Sequence, residues 1–148
     1  MYHAINMAVE HLNIPQEAFM GWINSDDLLC AGCLAYLFRV VRDIPQIQWV
    51  GGKPLTINMR GDILYMGDSE RYSEQLIQSG LCDGLHWSYI QQEGTFWRKR
   101  LWDAAGGLNS NLRLAGDWDL WRRMARHAPY IQLPWHMGAF RRRPGQLS

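Results

Sequence analysis

The alternation of apolar and polar residues divides the chain into short helices and strands in mixed order. Apolar residues recur at helical spacing in the first twelve residues, while shorter apolar or alternating runs bounded by Gly and Pro indicate strands. The predicted helices are 2–12, 28–41, 69–80, 97–105 and 114–127, and the predicted strands are 18–23, 47–50, 55–59, 63–66, 89–92, 130–133 and 138–141. Within the second helix, the core side is expected to carry Leu34, Leu37, Phe38 and Val41. This order predicts an α/β fold in one domain.

The first predicted strand ends abruptly at Asn24-Ser25-Asp26-Asp27, which we call the acidic corner. The pattern indicates a buried strand that delivers two adjacent carboxylates to a strand-to-helix turn. Ligands of open α/β sheets bind at the carboxyl ends of strands, where such carboxylates suit a hard cation beside a phosphate. Helix capping is the alternative, because Asn, Ser and Asp are good N-cap residues.

A second acidic segment, Gly116-Asp117-Trp118-Asp119, opens the last predicted helix. Asp119 is spaced to pair with Arg122 or Arg123 one turn later. Asp117 has two interpretations at this stage: a functional carboxylate, or an acid that stabilises the positive end of the helix by about 0.3–1 kcal/mol.

Composition narrows the function classes. A formal charge of +1 gives no overall reason to bind nucleic acid, although basic residues gathered in the last third could serve an anionic ligand, and peripheral membrane association stays open. The longest apolar run, 28–38, is too short to span a bilayer and no secretion leader is visible, so we expect a cytoplasmic protein. Cys30-Ala-Gly-Cys33 has the spacing of a redox pair, with small core residues as the alternative.

Several segments together, in order and spacing, resemble family 2 glycosyltransferases of the GT-A fold. The acidic corner resembles the metal-binding DxD motif of that family, and the Asp117 segment resembles its acidic catalytic motif. The supporting segments are Tyr2-His3-Ala4-Ile5-Asn6, Gln92-Glu93-Gly94-Thr95-Phe96-Trp97-Arg98 and Gly106-Gly107-Leu108.

The resemblance implies transfer of a sugar from a nucleoside-diphosphate donor (UDP, GDP or dTDP) to a hydroxyl of a glycan-type acceptor, with inversion at the anomeric carbon. It implies a divalent metal, Mn²⁺ or Mg²⁺, at Asp26 and Asp27, and a general base at Asp117. Donor or acceptor binding is expected of Asn24, Ser25, Glu93, Gly94, Thr95, Trp118 and Arg141. Trp97, Trp121 and His136 are weaker candidates for contacts with the sugar or phosphate.

The resemblance also predicts what this chain lacks. The expected fold is a GT-A mixed sheet flanked by helices without the N-terminal nucleotide-binding strands, in a single truncated domain over 1–148. The apolar strand 18–23 then has an open edge, which leaves three alternatives: a homo-oligomer, a fragment of a longer product or an inactive remnant. Arg143 stands where the family commonly has His, which makes Arg141 or Arg143 a cationic substitute. The alternative function is a non-catalytic remnant that binds a glycan or a protein through its Trp-rich face.

Overall fold

Residues 1–145, the part of the chain that the computed structural model describes, form a mixed α/β structure with five helices and eight strands. The helices are α1 (Tyr2–His11), α2 (Cys33–Asp43), α3 (Glu74–Gln78), α4 (Lys99–Ala105) and α5 (Gly116–Met124). The strands are β1 (Phe19–Met20), β2 (Leu28–Leu29), β3 (Trp49–Gly51), β4 (Leu55–Ile57), β5 (Ile63–Met66), β6 (Thr95–Arg98), β7 (Tyr130–Gln132) and β8 (Gly138–Arg141). The α/β class predicted from the sequence is confirmed.

The first sheet has the strand order β1-β6-β3-β7 and packs helices on both faces. β6 is antiparallel to β1 and β3, whereas β3 and β7 are parallel. Side chains alternate across the sheet, so Trp49 and Trp97 pack in one core with α1, α4 and α5, while Val50 and Phe96 pack in another with α2. Burial on both faces explains the apolar sequence of β3, and in β6 it extends even to the polar residues Thr95 and Arg98.

The second sheet, with the order β2-β8-β4-β5, continues from the first. Three short connections cross from the first sheet to the second: 21–27 after β1, 52–54 after β3 and 133–137 after β7. The backbones lie so close at this junction that a Cβ on Gly52 would come within 2.6 Å of Met137 N. The junction therefore brings together residues that are far apart along the chain.

Some predicted elements are confirmed and others are wrong. The antiparallel hairpin β4–β5, helix α5 and strand β8 lie where the pattern places them. The predicted strand 89–92 is irregular, and β6 instead takes Thr95–Arg98, including the first two residues of the predicted helix 97–105. Pairing with β1 and β3 stabilises β6 as a strand, and such long-range pairing leaves no local signal in the sequence.

The predicted helix 28–41 is also wrong at its start. Leu28 and Leu29 form β2, which pairs with β8, and α2 begins only at Cys33. Leu34 and Phe38, expected on the core side, are 56% and 69% exposed, whereas Leu37 is buried. The apolar residues of this helix form one broad arc whose centre, at Leu37, faces the sheet, whereas Leu34 and Phe38 lie toward its edge.

The edge expected at the first strand is present. Strand β1 is one of the two edge strands of its sheet and pairs only with β6 among residues 1–145. An unpaired strand edge can pair with another chain, so homo-oligomer formation stays a prediction. No helix in the described part of the chain is long and apolar enough to cross a membrane.

Candidate functional site

The acidic corner is a strand-to-strand turn, not the strand-to-helix turn that was predicted. The amide N–H of Asp27 donates to the Asn24 carbonyl over 3.2 Å and closes the turn, and β2 follows directly. Asn24 Nδ2 donates to Asp27 Oδ2 over 2.8 Å, while Ser25 is exposed. Helix capping by these residues is excluded, because the N-cap of α2 is Gly32.

Both acids of the corner contact the chain segment at the end of β8. Asp27 Oδ1 accepts a hydrogen bond from the backbone N–H of Arg141 over 2.7 Å. The Arg141 guanidinium donates to the Asp26 carbonyl and to the Asn58 carbonyl, and Arg143 forms an ion pair of 2.8 Å with the Asp26 carboxylate. These contacts fasten the last strand to the corner, and no sequence pattern indicated them.

Glu93 is a buried carboxylate next to the corner. It is 6% exposed, and its Oε1 lies 3.4 Å from Asn24 Nδ2. Burial, followed by the negative charge of Asp27, raises the pKa of Glu93 to about 8, so this side chain carries a proton near neutral pH. The interaction of Glu93 with the Asp27 side chain thus adds to the effect of burial.

The two residues after Glu93 are structural. Gly94 has a φ of 84°, and a Cβ there would lie 2.5 Å from Gly138 N, so only glycine fits this crossing. Thr95 is 1% exposed, and its hydroxyl donates to the Gln91 carbonyl over 2.7 Å. These two members of the predicted binding set shape the junction rather than line a cavity.

Asp117 lies in the first turn of α5, as predicted. Burial raises its pKa, opposed by the backbone N–H groups of Trp118 and of Asp117 itself. The neighbouring acid Asp119 forms the predicted ion pair with Arg123 over 2.8 Å. The two carboxylates of this segment therefore differ in environment, and Asp117 is the one available to a ligand.

Helix α1 holds the start of α5 and the loop before it. The Tyr2 hydroxyl accepts the backbone N–H of Gly116 over 2.9 Å, and a Cβ on Gly116 would come within 2.5 Å of the Tyr2 ring. Asn6 bonds both backbone groups of Leu108, with its Oδ1 accepting over 3.0 Å and its Nδ2 donating over 2.8 Å. Three of the segments on which the resemblance rests are thus joined directly.

A cavity of about 790 Å³ lies between the corner, the segment 89–93 before β6, and α5, and we call it the central cavity. Its size is that of small-molecule sites, about 300–1,000 Å³. Four predicted residues line it, namely Asn24, Glu93, Asp117 and Trp118, together with Tyr2, Trp22, Tyr89, Gln92 and Trp121. The negative charge of Asp117 also contributes to the raised pKa of Glu93, so the two carboxylates interact electrostatically.

The remaining predicted residues lie outside the lining of the central cavity. They are Ser25, Asp26, Asp27, Gly94, Thr95 and Arg141. Asp27 is nevertheless linked to the cavity wall through Asn24, whose side-chain amide contacts both Asp27 and Glu93. His136 lies beside the Lys53 carbonyl, away from the cavity.

The tryptophans around the central cavity divide into core and cavity residues. Trp97 is fully buried, which excludes it as a platform for a sugar ring. Trp118 lines the cavity, and its indole N–H donates to the Gly80 carbonyl over 3.1 Å, while the Arg122 guanidinium lies 4.7 Å from its ring centroid. Trp22 stacks on Trp121 at 6.2 Å, so two further indoles reach the cavity from the core. The sequence indicated only weakly that Trp22 and Trp121 line a cavity, because tryptophans mostly indicate core packing.

The acidic corner does not fit a divalent metal ion in this arrangement. Asp26 is occupied by Arg143, and each Asp27 oxygen accepts a hydrogen bond. Within residues 1–145, no three His, Cys, Asp or Glu side chains are arranged to hold a metal ion. A cation at this corner requires Arg143 to move away first.

The Cys30 and Cys33 pair has the properties of ordinary thiols. Burial raises the pKa of both, and the proximity of Cys33 raises that of Cys30 further. A reactive redox thiol needs the opposite shift.

Comparison with models of known protein families and with curated proteins gives no match for this sequence.

Proposed function

We propose that this chain is a glycosyltransferase domain that transfers a sugar from a nucleoside-diphosphate donor to an acceptor hydroxyl, with inversion at the anomeric carbon. The observation that carries the proposal is the central cavity, which has Glu93 and Asp117 in its wall although they are distant in sequence. Both are carboxylates whose pKa is raised by burial, and perturbed acids in one cavity are typical of catalytic sites.

Asp117 is the general base of this proposal. Its carboxylate takes the proton of the acceptor hydroxyl as the acceptor oxygen attacks the anomeric carbon. The bond between that carbon and the donor phosphate oxygen breaks on the opposite face, and the nucleoside diphosphate leaves with the electron pair. A raised pKa suits this role, because a base whose pKa is nearer the working pH takes up a proton more readily.

Glu93 has a different role, since it is protonated near neutral pH. A neutral carboxyl group donates a hydrogen bond, which suits a donor phosphate oxygen or a sugar hydroxyl. Trp118 offers an aromatic surface beside Asp117, against which a sugar ring can pack. A divalent ion at the acidic corner stays a separate hypothesis, because Arg143 occupies Asp26.

Calorimetric titration tests the proposal. A panel of UDP-, GDP- and dTDP-sugars is titrated into the protein with and without MnCl₂. We expect heat with at least one donor, and we expect Asp117→Asn to bind that donor with an affinity within about threefold of the original, because the base contacts the acceptor. No heat with any donor would overturn the proposal.

The second candidate function is a non-catalytic domain of the same fold that binds a glycan or a protein. The ion pair between Arg143 and Asp26 favours it, because a catalytic corner would have these acids free for a donor complex. An oligosaccharide is titrated beside the nucleotide sugars, and its binding without binding of any nucleotide sugar would support this candidate.

A further inference from the structure

A second cavity lies on the outer side of the hairpin β4–β5. We call it the outer groove; it has a volume of about 640 Å³ and lies between β5, the end of β8 and the loop 84–89. Three aromatic residues line it, Tyr65, Trp87 and Tyr89, and they are 53%, 40% and 40% exposed. Large aromatic side chains left this exposed around one concavity are typical of binding surfaces rather than of packing.

The loop that carries Trp87 is held in place without a ligand. The Asp83 carboxylate accepts the backbone N–H groups of Leu85 and His86 over 2.9 and 2.8 Å, and it pairs with the His86 ring over 2.8 Å. The backbone N–H of Gly84 donates to the Trp87 carbonyl over 2.9 Å. A loop fixed in this way loses little entropy on binding, so its exposed indole is preorganised.

The chemistry of the outer groove is that of a carbohydrate site. Its aromatic faces are accompanied by the hydroxyl of Thr56, the imidazole of His86 and the guanidinium of Arg142, and no carboxylate is among the described residues that line it. A pyranose ring has an apolar face of C–H groups and a rim of hydroxyls. Aromatic surface matches the first, and hydrogen-bonding side chains match the second.

The two cavities meet at Tyr89, which lines both. Burial raises the pKa of Tyr89, and the charge of Glu93, a residue of the central cavity, raises it further. The Tyr89 carbonyl accepts the Tyr72 hydroxyl over 3.2 Å, which fixes the backbone at this point. One end of the outer groove thus lies at a residue that also lines the central cavity.

We propose that the outer groove binds a carbohydrate chain, with Trp87 and Tyr65 packing against sugar rings. That this chain is the acceptor rests on the proposed function; that the groove binds carbohydrate does not. The chain is oriented so that its end nearest Tyr89 offers a hydroxyl to Asp117.

Nuclear magnetic resonance of the tryptophan indole N–H groups tests the groove. The protein has eight tryptophans, and the Trp87 signal is the one missing from the spectrum of Trp87→Phe. The probes are maltohexaose, cellohexaose and chitohexaose, with hexaethylene glycol as a polyether control. Trp135 is the matched control residue, because it is 52% exposed and contacts Tyr36 outside the groove.

We expect at least one saccharide to shift the Trp87 signal and leave the Trp135 signal in place. Trp87→Ala and Tyr65→Ala should each weaken that saccharide's binding roughly two- to tenfold, the range expected for loss of an aromatic contact, while Trp135→Ala should not. A Trp87 signal that no saccharide moves, or that hexaethylene glycol moves equally, would overturn the proposal.

The same samples separate this proposal from the proposed function. Saccharide binding in the outer groove without binding of any nucleotide sugar would support the groove and reject glycosyl transfer. Binding of a nucleotide sugar, with no saccharide shifting the Trp87 signal, would support glycosyl transfer and reject the groove.

Discussion

Replacing Glu93 with glutamine should remove most of the pH dependence of stability between weakly acidic and weakly basic solution. Burial and the charge of Asp27 raise the pKa of Glu93 from 4.5 to about 8 on folding. Between these two values the folded protein keeps a proton that the unfolded chain has released. The stabilising effect of proton binding is therefore fully present below about pH 4.5 and is lost as the pH rises through about 8.

The difference between the two pKa values of Glu93 sets the size of the change in folding stability. A pKa difference of one unit corresponds to about 1.4 kcal/mol, so the full window gives an upper limit of roughly 5 kcal/mol for the pair of Glu93 and Asp27. Glutamine has the shape of the protonated glutamate and keeps an oxygen for Asn24. The variant should therefore match the original protein near pH 5 and exceed its stability by several kcal/mol near pH 8.

Urea denaturation followed by tryptophan fluorescence measures this, at about pH 5, 6, 7 and 8 and with EDTA to exclude bound cations. Asp27→Asn provides the control background. With its charge gone, the pKa of Glu93 should fall, and Glu93→Gln should then change the pH dependence less. A stability difference between Glu93→Gln and the original protein that stays constant from pH 5 to 8 would refute the reasoning.

Three further variants probe the frame of the site. Gly94→Ala should destabilise the protein by about 2 kcal/mol or more in thermal unfolding, because its Cβ would lie 2.5 Å from Gly138 N at a φ of 84°. Tyr2→Phe leaves the buried N–H of Gly116 without its acceptor and should cost about 1–3 kcal/mol in urea denaturation; a loss below that range would mean that water replaces the hydroxyl. Arg143→Gln should raise the calorimetric affinity for Mn²⁺ at least several-fold by freeing the acidic corner, and unchanged affinity would reject a metal site there.

The local pattern predicted those elements whose signals are local. The hairpin β4–β5 has runs rich in apolar residues on both sides of a Gly-containing turn, and α5 combines an acidic first turn with basic residues in its last turn. The pair of Asp119 and Arg123 was predictable for the same reason, since helical spacing alone brings them together.

The parts that depend on long-range pairing were not predictable. Leu28 and Leu29 are apolar residues before a helix, and only their partner β8 makes them a strand. The contacts of the acidic corner with Arg141 and Arg143 link residues more than 110 positions apart, and the burial of Glu93 depends on the whole junction between the sheets. The order and spacing of the motifs identified the candidate acids, but only the fold shows that Glu93 and Asp117 share a cavity.

The most direct test of the account is the rate of sugar transfer by Asp117→Asn. The assay measures release of nucleoside diphosphate from the donor that binds best, with an oligosaccharide acceptor, and Asp119→Asn serves as the control because its carboxylate is paired with Arg123. We predict that Asp117→Asn lowers kcat by about 10²- to 10⁴-fold, the usual contribution of a general base, while Asp119→Asn keeps most of the activity. Transfer by Asp117→Asn at the full rate would contradict the account.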